Sequence, residues 1–139
     1  MRNILAVAAT FAVGALAQNV VIALPAAGQT VQAGQQLTVQ IQRPTPPTNV
    51  EEMSIAIGLQ SCASSTCYPA SEVMGVVLYN GAFDPVYHEY YLPQYQNFTV
   101  TIPAGTAAGA ATLGVAHATL IGALYEPYLQ TLSQNITIA

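Results

Sequence analysis

The feature that most constrains the fold is a period of two in the hydrophobic pattern. Leu37, Val39 and Ile41 alternate with threonine and glutamine, and residues 55–59 and 98–102 repeat this alternation. Because successive side chains of a strand point to opposite faces, the pattern is typical of half-buried β-strands. Further strands are predicted at 20–24, 30–33, 73–79, 110–120 and 132–138.

Short strands separated by proline and glycine turn signals define the fold class. No segment after residue 17 combines a 3.6-residue period with helix caps. We therefore predict an all-β chain, an immunoglobulin/fibronectin-like antiparallel β-sandwich of roughly 7–8 strands that follows an N-terminal signal peptide. A jelly roll or a small barrel is the alternative.

The first seventeen residues are predicted to be that signal peptide. Arg2 precedes an apolar run from Ile4 to Leu16, and the run ends in the small-x-small pattern that signal peptidase accepts. The run is shorter than the about 20 residues that a membrane span needs. Cleavage is expected after Ala17, which leaves one β-sandwich domain at 18–139. The predicted location is secreted and extracellular, with no membrane span.

The second constraint is the scarcity of charge. Lysine and arginine together number 2, aspartate and glutamate number 6, and the net charge is −4. Arg43 is the only basic side chain after the signal peptide. Such a chain cannot grip a phosphate backbone, which excludes nucleic acid as a partner. Neutral polar residues and glycans at the sequons of Asn97 and Asn135 are expected to keep the surface soluble.

Cys62 and Cys67 are the only cysteines. In an oxidising compartment an even count indicates one disulfide, here closing a short loop. The C-x₄-C spacing does not match the C-x-x-C redox motif. A zinc site needs more ligands than these cysteines and two distant histidines supply.

No catalytic constellation is recognisable, so we predict that the protein is not an enzyme and that it uses no metal or cofactor. Glycoside hydrolysis needs two facing carboxylates, but adjacent Glu51 and Glu52 point to opposite faces of a strand. A G-x-S-x-G elbow is absent. His117 shares strand parity with Leu113 and Val115, which favours a hydrogen-bonded core histidine over a metal ligand. An unrecognised hydrolase or metal enzyme is a remaining alternative.

The most informative local feature is a tyrosine-rich loop at residues 84–95, followed later by a small aromatic cluster at 125–128. Tyrosine offers large contact area at low entropic cost and is enriched at binding surfaces. Either these rings cover the sandwich by packing on Val76 and Leu78, or they form a binding surface, and both can hold for different rings. The predicted partner-binding residues are Tyr87, His88, Tyr90, Tyr91, Tyr95, Tyr125 and Tyr128.

Several motifs resemble the fungal necrosis-inducing secreted protein family. They are VLYNGAFDP at 77–85, YQNFTVTIP at 95–103, LGVAH at 113–117, LIGA at 120–123 and NIT at 135–137. The resemblance implies a secreted effector of a plant-associated fungus that binds receptor-associated kinases, suppresses plant immune signalling and in some settings causes cell death. It implies no enzymatic activity and carries over no catalytic residue.

The function predicted from the sequence is therefore a secreted, non-enzymatic fungal effector that binds a host protein. The alternative is a glycosylated structural or adhesive module of the fungal wall or matrix, with polysaccharide as its partner. A disulfide and glycans belong outside cells, whereas kinase domains lie inside them. Translocation into host cells is thus the alternative to an extracellular site of action.

Overall fold

The computed structural model describes residues 19–45 and 48–139 and shows an all-β protein. The predicted signal peptide at 1–17 lies outside the described residues. The eight strands are β1 (Val21–Leu24), β2 (Gln29–Val31), β3 (Gln36–Arg43), β4 (Val50–Ser61), β5 (Val76–Gly81), β6 (Gln94–Thr101), β7 (Gly109–Ile121) and β8 (Glu126–Ile138).

The strands form two sheets that pack as a sandwich. The smaller sheet has the order β1-β3-β6, and the larger has the order β2-β8-β7-β4-β5. The predicted β-sandwich is confirmed, and its strand pairs are antiparallel except β2 and β8, which are parallel. The reason is that the chain passes from the smaller to the larger sheet between Leu24 and Gln29 without reversing direction. The assignment to the immunoglobulin or fibronectin type stays a prediction.

The alternation that defined the strands also defines the core. Val39, Ile41, Phe98 and Val100 of the smaller sheet are buried and face Ile57 and its neighbours in the larger sheet. Packing these side chains between the sheets removes apolar surface from water, which is the main favourable term in folding. The fully buried side chains of the two sheets and of the residues that flank them include Val20, Val31, Ile55, Ile102, Leu113, Val115 and Ile138.

Four strand starts differ from the sequence prediction by three or more residues, and that of β6 lies at Gln94 instead of Phe98. β4 and β8 begin five or more residues earlier than the alternation indicated, because their first residues pair in the sheet without alternating cleanly. The strand predicted from Val73 begins instead at Val76. Gly75 precedes it with φ +75°, which is incompatible with an extended strand.

Residues 62–75 lie against the outer face of the larger sheet. The side chain of Gln60 bonds both backbone groups of this segment at Tyr68, accepting from its N–H and donating to its C=O. Gly58 and Gly114 are paired across β4 and β7, and a Cβ on Gly58 would lie 2.4 Å from the carbonyl oxygen of Met74. The two glycines therefore let the segment approach the sheet closely.

The predicted disulfide closes this segment at its start. Cys62 and Cys67 are bonded, with their Cα atoms 5.1 Å apart. Cys62 is buried beside Thr112 of β7. The bond therefore pins the start of the covering segment to the end of β4.

Across residues 19–45 and 48–139, no helix has the length and apolar character needed to span a bilayer.

Candidate functional site

Strand directions bring the two aromatic clusters to one end of the sandwich. β3 ends there at Arg43, β4 begins there at Val50, and β6 begins there at Gln94. The β7–β8 hairpin, in which Ile121 pairs with Glu126, turns at the same end. We call this end the tip. The loop at 82–93 and the hairpin at 122–125 are distant in sequence but both lie there.

Three tyrosines of the loop are exposed at the tip. Tyr90 retains 97% of its accessible surface and Tyr91 retains 71%, while Tyr87 is also mostly exposed. The rings of Tyr90 and Tyr91 meet edge to face, with centroids 5.5 Å apart. These three rings are not part of the core and do not pack as a cover over Val76 and Leu78, so they are available to a partner.

Tyr95 is the packed ring of this loop. It is 8% exposed, its backbone pairs with Val86, and His88 stacks on it with ring centroids 4.0 Å apart. Its hydroxyl donates to both carboxylate oxygens of Glu89, at 3.0 and 2.9 Å. This hydrogen bond to Glu89 raises the pKa of Tyr95 above its usual 10.0. Tyr95 therefore supports the loop rather than presenting a face to a partner.

The hairpin contributes one of its two predicted tyrosines to the tip surface. Tyr125 is exposed and has φ 55°, the left-handed conformation that a tight turn requires. Tyr128 is half-buried, and its hydroxyl donates to Asn19 Oδ1 at 2.9 Å, so it ties the first described residue to β8. Leu124 is 92% exposed and Leu129 is also exposed. These two leucines were not predicted from the sequence, although their position beside Tyr125 and Tyr128 was a usable signal.

A partly buried ionic bridge joins the two sheets near the tip, with 17% of the Arg43 side chain and 11% of the Glu52 side chain exposed. Arg43 Nη1 of β3 donates to Glu52 Oε2 of β4 at 2.6 Å, and Arg43 Nη2 donates to Gln94 at 2.6 Å. The other oxygen of Glu52 lies 2.5 Å from His117 Nε2. Since a carboxylate can only accept, Nε2 carries a proton. His117 is 1% exposed, and its ring meets Phe83 edge to face.

A β-bulge at Met53 decides which glutamate joins this bridge. The register of β4 against β7 shifts between Glu52 and Ser54, so Met53 has no partner and is exposed. Without the shift, the parity of Ile55 and Ile57 would turn Glu51 toward the core. The extra residue turns Glu52 inward instead, which is how a bulge re-aims side chains.

Opposing influences act on the carboxyl of Glu52. Burial raises its pKa, but hydrogen bonds from His117 and Arg43 and the electrostatic attraction to both side chains outweigh burial, and the net pKa lies below its usual 4.5. A lowered folded-state pKa means that the ionised form stabilises the fold above about pH 4.5. This contribution is lost as the pH falls through the folded-state value.

We therefore expect the free energy of unfolding to decrease as the pH is lowered from 6 to 3, and Glu52→Gln to lose less of its stability over the same range. Urea denaturation of both proteins at several pH values measures this difference. Equal acid sensitivity in the two proteins would show that Glu52 does not control the transition.

The adjacent carboxylates Glu51 and Glu52 do not face each other as a catalytic pair. Glu51 is exposed on the face opposite Glu52, and both oxygens of Glu52 are occupied by the ionic bridge. In the part of the chain that is described, no three of the His, Cys, Asp and Glu side chains come close enough together to hold a metal ion. The tip is accordingly a surface of exposed rings over a bridged core.

Both sequons lie on strands with the asparagine exposed. Asn97 of β6 is exposed and precedes buried Phe98, and Asn135 of β8 is exposed and precedes buried Ile136. Asn97 also accepts a hydrogen bond from Gln40 at 3.1 Å. The orientation leaves both asparagines accessible to modification, which stays a prediction.

Comparisons with known proteins give one family. The sequence model of the Nis1 family matches residues 7–137. A comparison with curated proteins found no match. Two structures of superoxide reductase (neelaredoxin) from Ignicoccus hospitalis are each 16% identical to this chain. The alignment with the first structure covers 88% of this chain and 81% of that chain, with a TM-score of 0.49. The alignment with the second covers 86% of this chain and 80% of that chain, with a TM-score of 0.47.

Proposed function

The chain belongs to the Nis1 family of necrosis-inducing secreted fungal effectors, and we propose that it acts as a non-enzymatic module that binds a host protein through the tip. Family membership agrees with the family that the sequence motifs indicated. Binding to plant receptor-associated kinases, with suppression of immune signalling and cell death as consequences, is the finer part of the proposal. It rests on the family resemblance.

The observation that carries the proposal is the exposure of large apolar side chains at the tip. Tyr87, Tyr90 and Tyr91 from the loop, with Leu124 and Tyr125 from the hairpin, share this end. Aromatic residues anchor most protein interfaces because they bury large areas with few rotatable bonds. Exposed aromatic surface of this kind is typical of an interaction site.

The hydrogen-bond partners of Glu52 support the proposal of a non-enzymatic role. Glu52 is the carboxyl with a lowered pKa, and such groups are often catalytic. Here, however, Arg43 and His117 occupy its two oxygens. The geometry is that of an inter-sheet bridge, which explains the perturbation without a substrate.

We propose an extracellular site of action for the mature protein. The bonded pair Cys62–Cys67 would be exposed to reduction in a host cytosol, and exposed Asn97 and Asn135 suit a glycosylated protein. A partner reached outside the cell could be the ectodomain of an immune receptor complex. A partner reached after translocation would be its kinase domain.

The test is replacement of Tyr87, Tyr90 and Tyr91 together by alanine. Binding to purified ectodomains and kinase domains of plant receptor-associated kinases is expected to fall at least about tenfold, as for loss of several interface anchors. The melting temperature should change by only a few degrees, because the rings are exposed. Surface plasmon resonance and thermal melting measure the two effects.

Tyr68→Ala is the matched control, since Tyr68 is an exposed tyrosine on the 62–75 segment, outside the tip. It should leave binding unchanged. Binding that survives the triple replacement would contradict the proposal, and a collapse in melting would show that the rings support the fold. Retention of the protein on chitin or glucan, without binding to either kinase region, would favour the wall-module alternative.

A further inference from the structure

The tyrosine-rich loop forms an open groove at the tip. The groove has a volume of about 460 Å³ and is lined by Tyr87, His88, Glu89 and Tyr90. Three of its four lining residues are aromatic or imidazole rings, and the fourth is a carboxylate. Such a combination differs from a purely apolar pocket, because it offers a negative charge among π faces.

The Glu89 carboxylate is fixed in this groove and keeps free acceptor capacity. Both of its oxygens lie within 3.0 Å of one hydroxyl, that of Tyr95. A carboxylate offers about four lone-pair sites, and the single Tyr95 proton cannot fill them.

Like the Glu89 carboxylate, the rings that line the groove favour a cationic ligand. The face of an aromatic ring carries negative electrostatic potential and attracts ammonium and guanidinium groups within about 6 Å of its centre. Tyr87 and Tyr90 line the groove, and both have most of their surface uncovered. His88 is held against Tyr95 by stacking, which fixes the loop beneath them.

The described chain has no side chain of its own to occupy this groove. The sequence contains no lysine. Arg43 is committed to Glu52 and Gln94, and Arg2 lies in the predicted signal peptide. A cation must therefore come from a partner.

The negative charge around the groove also favours a cationic partner. Five of the six carboxylates in the sequence lie at or near the tip, and Glu52 alone among them is paired with a cation. The other four are Glu51, Asp84, Glu89 and Glu126. This end of the molecule attracts basic segments and repels acidic ones.

We propose that the groove of Tyr87, His88, Glu89 and Tyr90 binds an arginine or lysine side chain of the partner protein. This inference rests on the proposed function, because it identifies the chemistry of the partner at the same tip. Glu89 pairs with the cationic head, and the tyrosine rings contact the head and its aliphatic stem. Specificity for the partner then requires a basic residue at the centre of its contact surface.

The first experiment uses a minimal probe. The tripeptide acetyl-Gly-Arg-Gly-amide is titrated into the mature protein, and the ring resonances of the tyrosines are followed by NMR. The same peptide with citrulline in place of arginine is the neutral isostere. We expect saturable shifts of the Tyr87 and Tyr90 resonances with arginine, and at least about fivefold weaker binding with citrulline, as loss of charge removes both the ion pair and the cation–π contact.

Glu89→Gln tests the site itself. Its amide oxygen can still accept from the Tyr95 hydroxyl, so the loop should remain folded, and unchanged melting verifies this. Binding of the arginine peptide should fall at least about fivefold, to the level of the citrulline peptide. Glu126→Gln removes an equal charge from the tip outside the groove and should change binding less than about twofold. Equal losses in the two variants, or equal binding of arginine and citrulline, would overturn the proposal.

A second measurement separates this inference from the proposed function. If the triple tyrosine variant loses receptor or kinase binding but Glu89→Gln retains it, the tip binds the partner without a cation in the groove, and the inference fails alone. If the arginine peptide binds in the groove but no host protein is bound, the proposed function fails while the groove assignment stands.

Discussion

Replacing Glu52 with alanine is expected to lower the free energy of unfolding by about 3 kcal/mol or more. The carboxylate accepts from Arg43 of the smaller sheet and contacts His117 of the larger one. Its removal leaves the partly buried Arg43 guanidinium without its counter-ion, and it leaves His117 Nε2, on a side chain that is only 1% exposed, without an acceptor. Breaking one partner of a buried pair costs more than the pair contributes, because the remaining charge stays desolvated. Urea denaturation at pH 7 measures the loss.

Glu51→Ala is the matched control. This neighbouring glutamate is exposed, belongs to the same strand and carries the same charge. Its replacement should change stability by less than about 0.5 kcal/mol. If the two variants were equally stable, the ionic bridge would contribute nothing to joining the sheets.

Replacing Gly75 with alanine is expected to be equally damaging, at about 3 kcal/mol or more. Gly75 has φ +75°, and an added Cβ would lie 2.1 Å from the carbonyl oxygen of Leu59. The obstacle is backbone of β4, which cannot move without breaking its pairing with β5. Circular dichroism and urea denaturation measure the effect, and loss of soluble folded protein is its extreme form.

Two other glycines separate the conformational cost of a positive φ from the cost of the close contact with Leu59. Gly34 also has a positive φ, +84°, but open space where its Cβ would lie, and Gly105 has open space and no positive φ. Gly34→Ala should therefore cost about 1 kcal/mol, the conformational part alone. Gly105→Ala should leave stability unchanged or raise it slightly. If Gly75→Ala costs no more than Gly34→Ala, the close contact with Leu59 is not the source of the strain.

The tip shows where prediction from sequence succeeded in part. The tyrosine-rich loop was singled out because of its composition, and Tyr87, Tyr90 and Tyr91 are indeed exposed. Composition could not tell that Tyr95 is packed under His88 or that Tyr128 bonds to Asn19. Those contacts join residues brought together by strand pairing, and nothing in the local sequence distinguishes one tyrosine from the next.

The inner face of β4 shows a limit of a different kind. The alternation of Ile55, Ile57 and Leu59 located the strand, but it assigns Glu51 rather than Glu52 to the core. The bulge at Met53 reverses that assignment. Bulges depend on the register of the partner strand, so a pattern read along one strand cannot reveal them.

The sequence by itself determined the all-β class, most of the strands, the disulfide and most of the residues that face the core. It could do so because the side chains of a strand alternate between its two faces whatever its neighbours are. Only the tertiary structure decided that the loop and the hairpin share one end, that β2 runs parallel to β8, and that Arg43 meets Glu52 and His117 between the sheets. These are long-range pairings, set by the order and direction of strands in the sheets, and a local pattern does not encode them.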